Sequence, residues 1–190
     1  MKSALSVVEP FAAVLGGAVA SLPVPLWVPW PVPAGWSFAG FAHDGVGSGQ
    51  TTTATAACWG GSDPFGDPIE VVFVSEDPGA GVGGRFAGLR TSYPTTGVGE
   101  GPPHARLEID GHTVELWEVG AAMDRSAFVG SAAGRWLWTV VHPAEASAIM
   151  VEPFRLVDAR RLGAELQLLP IRELSPRLVL EATMEPDDEP

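Results

Sequence analysis

The chain has 190 residues, of which 46% are hydrophobic and 18% are charged, with 11 basic residues against 23 acidic ones. This composition excludes disorder over most of the length, and the formal net charge of −12 excludes broad electrostatic binding to nucleic acid or to an anionic membrane. We therefore expect a single globular domain over residues 1–180, followed by an acidic disordered tail at 181–190.

The N-terminal segment has two interpretations. Residues 6–9 (SVVE) have the form of a capping box, and apolar residues recur at helical spacing from Phe11 to Leu22. This pattern predicts a packed amphipathic helix in a cytoplasmic protein. The alternative is export, because AVA at 18–20 has the form of a signal-peptidase site, although an acidic residue and a proline interrupt the apolar run before it.

Residues 22–36, LPVPLWVPWPVPAGW, contain five prolines and three tryptophans. A linker would be more polar, and an exposed polyproline ligand would leave too many apolar side chains in water. We predict an extended segment that wraps across a sheet and is anchored by Trp27, Trp30 and Trp36. Any indole that stays exposed is the predicted binding surface for a protein partner.

The rest of the chain is rich in strand patterns. The run 69–76 (IEVVFVSE) is almost continuously apolar and predicts a central strand, and Asp110-Gly111 predicts a tight hairpin turn. A short helical turn is expected from Asp158 to about Gly163. Further strands are predicted at 36–43, 51–59, 134–142, 147–152 and 165–169. The predicted fold class is α+β, a mainly antiparallel sheet with an N-terminal helix and one or two short helices packed on it.

The strand at 134–142 carries two tryptophans. Trp136 and Trp138 project to the same face of a strand, because side chains alternate from one face to the other. Two interpretations remain open: these indoles pack in the core, or they form an aromatic wall that contributes to partner binding.

A glycine-rich loop follows the strand at 69–76. Gly79, Gly81 and Gly84 satisfy Gly-x-Gly-x-x-Gly before a short helical pattern, a context in which backbone amides hold a phosphate. Arg85, with Arg125 or Arg135, would add positive charge. The second parallel strand and acidic residue of a dinucleotide fold are absent from the pattern. The simpler interpretation is a tight strand-to-helix connection that needs glycine for close packing.

Other reactive residues are isolated in the sequence. Cys58 is the only cysteine, and it is interpreted as a small buried residue beside a tryptophan, since sequence places no activating base near it. The histidines lie apart, at His43, His104, His112 and His142, with no metal-ligand spacing. We expect no metal, no cofactor and no catalytic residue.

Four segments occur in one order that resembles a known group of proteins. They are VPLWVPWPVPAGW, GVGGRFAGL, GRWLWTVVHP and LVDARRLGAELQLLP followed by LSPRL. This order is similar to that of an uncharacterised actinobacterial family of small proteins, over roughly residues 9–179. Some members carry a phosphotransacetylase label, and longer members begin with a four-cysteine ribbon-like segment that has no counterpart here. The resemblance implies a fold and no established activity.

The expected function is a non-catalytic binding or regulatory module that uses its aromatic and proline-rich surface. The alternative is a small enzyme or ligand-binding domain that holds a phosphate or acyl-phosphate anion at the loop Gly79–Arg85.

Overall fold

A computed structural model describes residues 5–45, 51–89, 98–152 and 154–183. Strands make up 39% of the structure and form one curled half-barrel sheet. Within the described residues the strands are β1 Ser6–Val8, β2 Trp27–Pro29, β3 Ser37–His43, β4 Ala54–Ser62, β5 Pro68–Glu76, β6 Ala105–Ile109, β7 His112–Val119, β8 Ser126–Ala132, β9 Arg135–His142 and β10 Arg155–Asp158.

The helices are short. They are α1 Ala12–Ala20, α2 Val82–Phe86 and α3 Pro176–Thr183, with 3₁₀ helices at Ala144–Val151, Ala159–Arg161 and Gly163–Leu168. No helix in the described ranges is long and apolar enough to cross a membrane.

The strand order across the sheet is β1-β3-β4-β5-β9-β8-β7-β6-β10-β2. The strand pairings are antiparallel except that of β10 with β6, which is parallel. The predicted α+β class is therefore wrong, because short helices only cover a large mixed sheet and form no layer of comparable size. The antiparallel character of most of the sheet agrees with the prediction.

The sheet buries side chains on both faces. On β5, Val71 and Phe73 point into the concave interior, whereas Val72 and Val74 point to the outer face. The interior closes because β2, the last strand, packs against β4 and β5. Helix α1 covers one end of the interior, and α2 and α3 cover the outer face. A sheet covered on both sides produces near-continuous apolar strands, as the sequence of β5 shows.

Several local predictions are confirmed. The strand β5 is central, and the hairpin of β6 and β7 turns at Asp110 and Gly111, both with positive φ as a type I′ turn requires. Asp158 caps a 3₁₀ turn through its side chain, which accepts a hydrogen bond from the Arg160 N–H.

Others are wrong. Residues 6–8 form an edge strand instead of a capping box, and α1 begins later, at Ala12, without a side-chain cap. Residues 147–151 lie in a 3₁₀ helix and not in a strand, as do 165–168. Strand β8 and helix α3 were not predicted. Helix α3 extends to Thr183, and the rest of the predicted tail, 184–190, lies outside the described residues.

Helix α1 contains two glycines whose substitution tests the local energetics. Gly17 lies inside the helix, and an added methyl group would meet no atom within 4 Å. We expect Gly17→Ala to raise the free energy of unfolding by about 0.5–1 kcal/mol, since alanine loses less backbone entropy on folding. The control is Gly134→Ala, at open space but with φ +74°, which should lose about 1–2 kcal/mol. Urea unfolding measures both. Equal changes in the two variants would contradict this account.

Candidate functional site

A groove of about 900 Å³ lies beside strands β2 and β10 of the sheet. Three segments form most of it: the proline-rich stretch, the turn between β4 and β5, and the 3₁₀ helix Ala144–Val151 with the residues after it. Strand β6 adds one residue, Glu108. Its lining residues are Pro29, Pro31, Pro33, Trp36, Ser62, Asp63, Pro64, Phe65, Glu108, Ala148, Ile149, Val151, Glu152, Phe154 and Arg155.

The proline-rich stretch forms one wall because it is held at the edge of the sheet. Strand β2 pairs with β10, and the Trp30 N–H donates to the Arg155 carbonyl over 2.9 Å. The prolines that follow lack an N–H donor, so they are tolerated at an edge and leave no unsatisfied group. The segment is extended and packed, as predicted, but residues 27–29 complete the sheet and do not cross its face.

The three tryptophans of this stretch differ in exposure. Trp27 and Trp36 are buried, with 3% and 6% of their surface exposed, and Trp30 is half-buried. The Trp36 ring packs on Phe154 with centroids 5.3 Å apart. A methyl group at Gly61 would overlap Trp36, so the indole needs a glycine beneath it. Of the three, Trp36 lines the groove.

Exposed apolar side chains meet at this groove. Phe65 is 85% exposed and Val151 is 82% exposed, and both line it. The charged lining residues are mostly acidic: Asp63, Glu108 and Glu152 against Arg155. Arg155 is itself paired with Glu108, with Nε and Oε1 3.2 Å apart. The groove therefore combines exposed apolar side chains with an excess of negative charge.

Sequence reasoning missed Phe65, Val151 and Phe154. For Phe65 a signal was present, since it is a phenylalanine inside the polar turn Asp63–Asp67, where no strand alternation directs it to the core. For Val151 the sequence contains no such signal, because a valine in an apolar run is as typical of a buried strand as of an exposed site.

The predicted aromatic wall on β9 lies elsewhere. Trp138 is fully buried on the outer face, and Trp136 is half-buried beside the same cluster. The two indoles share a face, as strand alternation predicted. Neither lines the groove.

The glycine-rich loop holds an internal carboxylate. Glu76, at the end of β5, accepts hydrogen bonds on Oε2 from the N–H groups of Val82 at 2.6 Å and Gly83 at 3.1 Å. Its Oε1 accepts from Trp138 Nε1 at 2.7 Å. Burial raises the pKa of Glu76, and these hydrogen bonds oppose the rise because they stabilise the charged form. Two of the amides considered for a phosphate are thus used by the chain itself.

Glycine is needed in this loop for conformation and for close approach. Gly79 and Gly81 have φ of +96° and +74°, which a side chain would strain. A methyl group at Gly83 would overlap the Trp138 indole. Gly84, the last glycine of the motif, is buried in α2. These contacts agree with the interpretation of a tight strand-to-helix connection.

The arginines considered with this loop are spread over the outer face. Arg85 donates to the Ala182 carbonyl at 3.5 Å, and desolvation lowers its pKa. Arg135 pairs with Asp77, with Nε and Oδ1 2.8 Å apart. Arg125 is 10% exposed and donates through one nitrogen to both the Phe86 carbonyl and Glu181.

Arg125 also orders its neighbour. Its Nε lies 2.8 Å from Asp124 Oδ1, and this hydrogen bond is the main reason that the pKa of Asp124 is well below its usual range. Arg177 also donates a hydrogen bond to Asp124, at 3.0 Å. These contacts connect the β7–β8 loop with α2 and α3.

A second cavity, of about 520 Å³, lies beside this cluster. It is lined by Pro68, Ile69, Glu70, Met123, Asp124, His142, Pro143, Glu145, Arg172 and Arg177. Strand register places His142 of β9 opposite Glu70 of β5. Sequence reasoning did not connect these residues, because nothing in a single strand indicates which long-range segment covers it.

His142 is buried, with 3% of its side chain exposed, and neither ring nitrogen has a hydrogen-bond partner within the described structure. Its Nδ1 lies 3.9 Å from Asp124 Oδ2. Burial lowers the pKa of His142 from 6.5 to about 3. The positive charges of Arg177 and Arg125 act in the same direction, and Asp124 opposes them. The imidazole is therefore neutral at physiological pH.

Cys58 is fully buried, and burial raises the pKa of its thiol well above 9.0. The negative charge of Glu70 acts in the same direction. This is the environment of an unreactive thiol.

Among the described residues, no group of three or more potential ligands is placed to hold a metal ion. His43 is half-buried, and His104 and His112 are exposed.

Comparison with known proteins assigns a family. The profile of a family of unknown function (DUF6758) matches residues 3–178. The chain belongs to this family. No curated protein and no solved structure matches the chain.

Substitution of Gly83 tests the packing of the loop against Trp138. We expect Gly83→Ala to lower the free energy of unfolding by about 1–3 kcal/mol, because the new methyl group must displace a buried indole that is fixed by Glu76. Gly120→Ala is the control, since its methyl group meets no atom within 4 Å. Thermal unfolding of both variants measures the difference. Wild-type stability in Gly83→Ala would contradict the close approach.

The low pKa of His142 predicts acid sensitivity. The folded state binds this proton less tightly than the unfolded chain, so stability is present above about pH 6.5 and is lost as pH falls towards 3. We expect His142→Gln, which cannot titrate, to remove about 3–5 kcal/mol of this loss. Urea unfolding of variant and wild type across that range measures it. Parallel pH profiles would contradict a depressed pKa.

Proposed function

We propose that this protein is a non-catalytic binding module whose groove accepts an extended segment of another protein. The observation that carries the proposal is the convergence of Phe65 and Val151 on one proline-lined groove. Large apolar side chains exposed together in a concave surface are typical of interaction sites, whereas single exposed ones are ordinary. Leu168, which is 73% exposed outside the groove, is an example of the ordinary case.

Charge indicates the chemistry of the partner. The groove carries three carboxylates and one arginine, and the whole chain has a net charge of −12. A second copy of this chain, or its own acidic C-terminal residues, would be repelled. We therefore infer a segment that is apolar at its centre and carries lysine or arginine beside it. Prolines fixed in the wall reduce the ordering cost of binding, because that wall is already rigid.

The tryptophans support this function in different ways. Trp36 lines the groove and contributes surface to it, while Trp27 anchors the wall from the interior. The half-buried Trp30 lies between them in the sequence. The proposed partner surface thus consists mainly of prolines and of the exposed side chains opposite them.

The alternative function, a phosphate or acyl-phosphate site at Gly79–Arg85, has less support. The N–H groups of Val82 and Gly83 donate to Glu76, so an incoming anion would have to displace a buried carboxylate. These contacts support the binding module over an enzymatic function of this loop.

Selection from a random peptide library displayed on phage tests the binding module. We expect wild-type protein to enrich apolar sequences that carry basic residues. The double variant Phe65→Ser/Val151→Ser should bind a selected peptide at least about tenfold more weakly in fluorescence anisotropy, because both side chains are exposed on the groove. The peptide affinity should also fall with added salt.

The matched control is Leu168→Ser, which removes an exposed apolar side chain outside the groove and should bind like wild type. Thermal unfolding checks that all variants remain folded. Enrichment of acidic sequences, or equal binding by the double variant, would overturn the proposal.

A further inference from the structure

The second cavity carries unsatisfied polar atoms that the proposed groove does not use. Both ring nitrogens of His142 are buried without a hydrogen-bond partner in the described structure. The buried Oε1 atom of Glu70 has no hydrogen bond either, and its ion-pair contact is with Arg177 Nε, 3.6 Å away. Each such atom costs about 1–3 kcal/mol, so several in one cavity require an explanation. One such explanation is a bound ligand that supplies the missing hydrogen-bond partners.

Arg172 adds a cation to the same cavity. Its guanidinium lies over β4, where a side chain at Gly60 would overlap it. Within the described ranges, no ion pair or side-chain hydrogen bond of Arg172 is found. Gly60, Glu70 and His142 occupy one row across three neighbouring strands. The guanidinium, the carboxylate and the imidazole therefore stand side by side on the outer face of the sheet.

The charges in the cavity favour an anion of low charge. Arg177 lies between two carboxylates, 3.0 Å from Asp124 Oδ2 and 3.6 Å from Glu70 Oε1, and its charge is balanced by them. The other lining cation is Arg172. Because Arg177 is paired with these two carboxylates and Arg172 has no ion pair in the described ranges, Arg172 is the cation placed to face an incoming anion. Acidic side chains elsewhere in the lining disfavour a doubly charged phosphate.

We propose that this cavity binds a small monocarboxylate that also carries a hydrogen-bond donor, as hydroxy acids and amino acids do. The planar fork of Arg172 holds the carboxylate, and one N–H of the neutral His142 adds a second donor to it. The ligand's hydroxyl or ammonium group donates to Glu70 Oε1.

The cavity volume of about 520 Å³ lies within the usual range for small-molecule sites. The exposed, unbranched side chains of Arg172 and Met123 line the cavity and can rotate to admit the ligand.

Three acids of equal carbon number separate these requirements. Lactate and alanine carry the additional donor, and propionate lacks it. We expect NMR titration of the full chain to show saturable shifts of the His142 ring resonances with lactate or alanine, and an affinity for propionate at least about tenfold weaker. Inorganic phosphate serves as the competing anion.

Arg172→Gln should weaken the binding of the preferred acid by about tenfold or more, because it removes the charged fork. The fold should persist, since this side chain makes no ion pair in the described ranges, and thermal unfolding verifies it. Arg106→Gln, which removes an exposed arginine on β6, is the matched control and should bind like wild type.

Absence of saturable shifts with all three acids would overturn the proposal, and so would undiminished binding by Arg172→Gln. Equal affinity for phosphate would overturn the assignment to a monocarboxylate. The proposal does not rest on the groove, and neither Phe65 nor Val151 lines this cavity. Failure here and failure of peptide binding are therefore distinguishable.

Discussion

The structure depends on the burial of β4, β5 and β9 on both of their faces. Alternate residues of β5 belong to two separate apolar clusters, one inside the curl of the sheet and one outside it. A sheet with two apolar faces must be covered twice. This chain covers the inner face mainly by curling the sheet until β2 packs against β4 and β5, with α1 at one end, and it covers the outer face with two short helices. The small helical content follows from this arrangement, since one of the two covers is the sheet itself.

The proline-rich stretch has both a structural and a surface role. Its backbone completes the sheet through β10, and its apolar side chains enter the interior. The prolines beyond Pro29 end the pairing, because they have no N–H to donate, and so leave a rigid wall beside an open groove. An element that closes the half-barrel thus also forms one wall of the groove.

The outer face has two regions, which differ in how completely their buried polar groups are paired. Near α2, the Glu76 carboxylate accepts three hydrogen bonds. One of them comes from the Trp138 indole and fixes its position. Near α3, Arg125 joins Asp124, Glu181 and the Phe86 carbonyl into one network. Between the network and the sheet, His142 and Glu70 retain unsatisfied atoms. Buried polar groups are normally paired, so this contrast within one face distinguishes a structural carboxylate from a candidate ligand site.

The sequence alone determined those elements that depend on the pattern of neighbouring residues. It predicted the central strand from its apolar run, the hairpin from Asp110-Gly111, the shared face of Trp136 and Trp138, and the packed state of the proline-rich stretch. It did not determine the fold class, because the same short helical patterns fit either a separate layer or a thin cover on a curled sheet. It could not bring Phe65 to Val151, or Arg172 to His142. Those pairs are far apart in the chain, and only the curl of the sheet and the path of the C-terminal segment place them together.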